Sequence, residues 1–130
     1  MSKAAELAAL IGSQSSLSNR NLIINGAMAV SQRSTSVTGI TGGGYNTIDR
    51  MKVDLNDNGA WTHSQDTDVP SGSGFGNSWK LNVTTADTAV ASGSYHLFRY
   101  LFEGQDLQKL KKGTSSAESV TVSFLSLIHI

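Results

Sequence analysis

The sequence predicts a mainly β fold, an antiparallel β-sandwich or jelly roll that is incomplete at its C-terminal end and carries a short N-terminal α-helix. Three observations lead there. Apolar and polar residues alternate in several short runs, the period of a half-buried strand. Turn residues separate these runs at regular spacing. Charged residues make up only 15% of the chain and there are 13 Gly, with Ser, Thr and Asn filling most other polar positions. About seven short strands of this kind favour a sandwich or jelly roll over an α/β fold. A length of 130 residues holds one core with appendages, not two ordinary domains.

The elements follow in order. Ser2 to Ile11 reads as a helix, capped by Ser2, rich in Ala and stopped by Gly12. Its apolar stripe is Leu7, Leu10 and Ile11; a helix this short is marginal alone, so the stripe needs its own domain or another chain. Residues 1–18 form this helix and a polar connector, and residues 19–124 the partial sandwich. Leu22 to Ile24 and Ala27 to Arg33 read as two strands joined at Asn25-Gly26, a strong hairpin signal. After the glycine-rich loop Thr41 to Gly44, Met51, Val53 and Leu55 share one face of a strand that turns at Asn56 to Gly59. Trp61 to Gln65 is the returning strand, and Asp66 to Asn77 a surface loop. Trp79, Leu81 and Val83 mark a one-sided strand. Tyr95 to Tyr100 is apolar on both faces and reads as central. Asp106 to Lys112 resembles a helical turn, and Val120, Val122 and Phe124 begin a last inward-facing strand.

Lys and Arg total 10 and so do Asp and Glu, so no global field steers the chain onto nucleic acid. The absence of Cys excludes disulfide stapling and thiolate metal sites. No apolar run reaches membrane-spanning length or forms a secretory h-region, so membrane insertion is not expected.

Candidate chemistry is sparse. Asp54, Asn56, Asn58 and Gly59 match the opening of a calcium-binding EF-hand loop, whose alternate oxygens wrap a hard cation. Gln65 stands where the closing Glu belongs and no helices flank the segment, so a polar turn is the competing reading. Gly72, Gly74 and Gly76 lack the spacing of a phosphate-cradling loop. No nucleophile with a base is placed, and Asp66, Asp68 and Glu103 read as solvated carboxylates. Aromatic side chains offer more, because sugar-binding modules stack pyranose rings on exposed Trp or Tyr. Tyr45, in the glycine-rich loop, and Trp61 are the candidates for such contacts, with loop anchoring the alternative role for Tyr45.

The stretch from Asn19 to Met28 (NRNLIINGAM), then Ser31-Gln32-Arg33, then Ile48-Asp49-Arg50, resembles the start of a jelly-roll module common in tail-fibre-like proteins of marine phages. Ser64 to Pro70 and Glu103 to Leu107 look like the same family, and the resemblance runs in order over 2–124. That family has Trp where this chain has Met51, and continues past Phe124 with Trp and further strands. Here Leu125 to Ile130 follows instead. These six residues read as the in-frame translation of a sequencing-library transposase adapter, which predicts a non-native tail at 125–130 and a sandwich without its C-terminal strands. A natural apolar strand is the alternative.

The resemblance implies a non-enzymatic structural component of a phage virion, of tail-fibre type, that displays or binds host-surface glycan through its sandwich. The helix would join a homo-oligomer or other virion proteins. A stand-alone carbohydrate-binding module and a fragment of a glycan-depolymerising tailspike are the alternatives. No cofactor is expected apart from calcium at Asp54, Asn56 and Asn58.

Overall fold

The structure, a computed structural model, describes residues 2–12 and 21–127, the side chains of 9–12 excepted. The connector at 13–20, the side chains of Leu10 and Ile11, and the last three residues lie outside that description.

The chain is mainly β, with five antiparallel strands in two sheets and few helices among the described residues. Helix α1 spans Lys3–Gly12. Ser2 caps it as its position suggests: its Oγ accepts the Ala5 N–H at 3.3 Å, satisfying one of the donors a helix start leaves free. The strands are β1 (Ser36–Ile40), β2 (Met51–Asn56), β3 (Ala60–Asp66), β4 (Ser78–Thr85) and β5 (Tyr95–Tyr100). A single helical turn, α2 (Gly104–Leu107), and a 3-10 turn (Gln108–Leu110) follow.

One sheet has the order β1-β3-β4 and the other pairs β2 with β5. Alternation explains how they meet. Met51, Val53 and Leu55 are buried while Lys52 and Asp54 lie half-buried on the outer face. Opposite them, the inner face of β5 carries His96, Phe98 and Tyr100, in register with Leu55, Val53 and Met51. From the other sheet Val37, Trp61 and Trp79 pack on the cluster of Ile40, Val53 and Leu55. This is the arrangement of a partial β-sandwich. Complete burial of an aliphatic side chain contributes about 1.5–3 kcal/mol, and among the described residues the buried apolar side chains number only five: Ile40, Ile48, Met51, Val53 and Leu55, with Ile48 and Val53 fully buried.

Several expectations need correction. Residues 56–59 do not make a hairpin between β2 and β3, because those strands belong to different sheets. The turn carries the chain across the sandwich, with Asp57 and Gly59 at φ of 44° and 69°. Asn25-Gly26 does form a turn, but its flanks are not strands. The Asn25 side chain replaces the ladder: its amide donates to the carbonyls of Val30 and Asp49, each at 2.9 Å, and its oxygen accepts the Val30 N–H. Strand β1 went unread because Gly39 interrupts its alternation and the pairing with β3 shifts register between Val37 and Ile40. Strand β5 is an edge, not a central strand: among the described residues it pairs with β2 alone, and Phe98, on its inner face, stays 53% exposed. Residues 120–124 form no strand and their side chains are exposed.

Candidate functional site

The longest reach from sequence to site runs through the loop before β2. Gly44 forms a two-way bridge with Val53, N–H to carbonyl at 2.8 and 2.9 Å, which fastens the loop to the strand edge. Gly43 allows this approach, since a Cβ there would lie 2.7 Å from Asp54 Oδ1 and 3.0 Å from the Val53 carbonyl oxygen. The next residue, Tyr45, is thereby held at the surface, 38% exposed. Its ring carries the Arg33 guanidinium at 5.9 Å from the centroid, within cation–π range.

Tyr45 lines a cleft of about 440 Å³ with Gln32, Arg33, Asp49, Arg50 and Leu101. Its walls are cross-braced. The Asp49 N–H donates to the Val30 carbonyl at 3.1 Å, and Asp49 Oδ1 accepts the Gln32 N–H at 3.2 Å. Arg50 Nη1 donates to Glu103 Oε1 at 3.0 Å, and its guanidinium lies 5.8 Å from the Tyr100 ring centroid. The hydrogen bond with Tyr100, then that with Glu103, raises the Arg50 pKa further above its ordinary value. Its backbone has φ of 72°, a left-handed conformation that costs energy for a residue with a Cβ and is found disproportionately at functional sites. Arg33, by contrast, has no ion pair among the described residues. The cleft thus offers one aromatic face, an available guanidinium, a carboxylate and an amide side chain.

The other predicted site residues lie elsewhere. Trp61 sits half-buried on β3, its ring 4.4 Å from His96 edge to face, and its Nε1–H donates to the Asn58 carbonyl at 2.7 Å. It packs against the core from this half-buried position, and it does not join Tyr45 in the cleft. Asp54 lies on the outer face of β2, bridged to Lys52 at 3.2 Å and Arg99 at 2.8 Å. The Asn56 amide donates to the Gly93 carbonyl at 3.2 Å. A cation at Asp54, Asn56 and Asn58 would have to displace two positive side chains from its only carboxylate. Gln32, Arg33, Asp49 and Arg50 carry no local pattern that marks a site, although all four stand in the Ser31-Gln32-Arg33 and Ile48-Asp49-Arg50 segments that carry the family resemblance.

A second cluster lies between the sheets. His63 is fully buried and stacks on His96 at 5.3 Å, with Trp79 edge-on at 5.7 Å. Among the described residues neither His63 nitrogen nor His96 Nε2 has a hydrogen-bond partner. Loss of hydration, and then the neighbouring His96, lowers the His63 pKa to about 4.

No protein-family model, curated protein or solved structure matches the chain.

Proposed function

We propose that this chain is a non-enzymatic virion component of tail-fibre type that binds host-surface glycan in the cleft beside Tyr45. One observation carries the glycan reading: an exposed tyrosine ring faces a cleft whose rim supplies a carboxylate, an amide and the Arg33 guanidinium. A pyranose needs that combination, an apolar platform for its C–H face and directional partners for its hydroxyls. The virion context rests on the resemblance of the Asn19 to Met28, Ser31 to Arg33 and Ile48 to Arg50 segments.

Tyr45→Ala should weaken binding to immobilised bacterial surface polysaccharides by roughly tenfold, with thermal stability nearly unchanged because the ring lies outside the core. A panel of lipopolysaccharides and capsular polysaccharides, read by surface plasmon resonance against wild type and Tyr45→Ala, makes the comparison. Equal binding by both proteins would remove the cleft from the reading, and binding by neither would remove the glycan.

Neither Asp66 nor Glu103 is poised to serve as a glycosidase acid. The Lys80 hydrogen bond holds the Asp66 pKa below its ordinary value, and the Arg50 hydrogen bond does the same for Glu103. A glycosidase acid needs the opposite shift to keep its proton near neutral pH. Incubation with the same polysaccharides should release no reducing ends; release abolished by Asp66→Asn or Glu103→Gln would make the chain a depolymerase.

A further inference from the structure

Among the described residues the outer edge of β5 has no neighbour, since β5 pairs only with β2. At that edge the sandwich is also open on its inside: Phe98 packs against Trp79 at 5.3 Å, yet half of it remains in contact with solvent. An edge of this kind is a template for another strand, because one row of its backbone donors and acceptors is unpaired and an apolar surface lies beside it.

The same chain carries a segment suited to that edge. Val120, Val122 and Phe124 alternate with Thr121 and Ser123, apolar on one face and uncharged polar on the other. The stretch from Ser119 to Leu127 contains no charge and no Pro, so pairing it would desolvate no ionised group. It lies outside every strand, and Val122 and Phe124 are 78% and 85% exposed. Its root is tied to the turn that precedes it. The Glu118 N–H donates to the Leu110 carbonyl at 2.9 Å, the Lys112 ammonium donates to the Glu118 carbonyl at 2.6 Å, and Lys111 pairs with the Glu118 carboxylate at 3.4 Å. This clamp holds the root of the segment while its own domain leaves the apolar face uncovered.

We infer that Val120–Phe124 of one copy adds as a strand to the free edge of β5 in a second copy, setting Val120, Val122 and Phe124 over the open side of the core near Phe98 and Trp79. If each copy both gives and receives a strand, the product is a closed dimer; if the exchange is not reciprocal, it is an open chain of copies. The inference is independent of the glycan reading, because the cleft beside Tyr45 takes no part in it.

Sedimentation velocity on the full chain over a range of concentrations tests it, together with Val122→Lys and hydrogen–deuterium exchange. Val122 is exposed, so this variant leaves the fold of the single copy intact. The expected result is self-association that Val122→Lys weakens at least tenfold, with protection of Tyr95–Tyr100 and Val120–Phe124 rising together with concentration. Precipitation of the wild type with a soluble, monomeric Val122→Lys protein supports the inference equally. A wild-type monomer overturns it, and one with Val120–Phe124 protected would place the strand on its own domain. Association or precipitation unchanged by Val122→Lys also overturns it and would direct attention to another surface such as α1.

Discussion

Acidification from pH 7.5 to pH 5 should remove about 2 kcal/mol of folding stability through His63 alone, rising to about 3 kcal/mol below pH 4. In the folded protein its pKa is lowered to about 4, chiefly because burial removes the hydration of the charged ring and then because His96 stacks on it; unfolded, the side chain returns to its ordinary 6.5. The unfolded chain therefore takes up the proton first. Stability is complete above pH 6.5, falls as the pH drops from 6.5 towards 4, and below that the loss is constant. His96, lowered by burial as well, adds in the same direction. Urea titrations at pH 7.5 and pH 5 measure the difference. His63→Leu should hold its midpoint at pH 7.5, because it removes ring nitrogens that lack partners among the described residues, and should lose most of the pH dependence. A wild-type midpoint that is the same at both pH values would mean that His63 is solvated and that the two sheets do not close over it.

This pair also marks how far the sequence could be read. The β2 face was legible because Met51, Val53 and Leu55 alternate with Lys52 and Asp54 without interruption, and period two has one structural meaning there. Strand β5 was misplaced because His96 and Phe98 on one face and Leu97 on the other read as burial on both sides, whereas only the inner face meets the core. Alternation gives the face of a strand but not its neighbours, so it could not say that β2 and β3 part into different sheets. The cleft was legible only in part. Tyr45 stood out as an aromatic residue in a glycine loop; Asp49 and Arg50 did not, because their place beside Gln32 depends on the Asn25 side chain bonding to the carbonyls of Val30 and Asp49, a long-range fact without a local pattern. Trp61 shows the converse: an indole on a strand looks the same in sequence whether it faces solvent or the opposite sheet.

The crossing from β2 to β3 carries the second large effect, expected from Gly59→Ala. Gly59 has φ of 69°, where a Cβ costs about 1 kcal/mol by itself. The added carbon would also overlap the Thr85 carbonyl oxygen and lie 3.0 Å from the Asp87 backbone nitrogen. Both neighbours are backbone, Thr85 as the last residue of β4 and Asp87 just beyond it, so relief requires the turn to move away from β4 rather than a side chain to rotate. Trp61 is tied to this turn through the Asn58 carbonyl, and any movement is passed to the ring that packs on Ile40, Val53 and Leu55. Conformation and overlap together should cost about 2–4 kcal/mol. Gly72→Ala separates the two contributions: Gly72 has φ of 75° but nothing within 4 Å of the position its Cβ would take, so it should lose only the conformational part, about 1 kcal/mol. Urea midpoints of the two variants, measured at pH 7.5 where His63 is neutral, should therefore differ by at least about 1 kcal/mol once multiplied by the denaturant slope. Equal losses would mean that Gly59 does not press against the end of β4, and that the chain crosses the sandwich by another path.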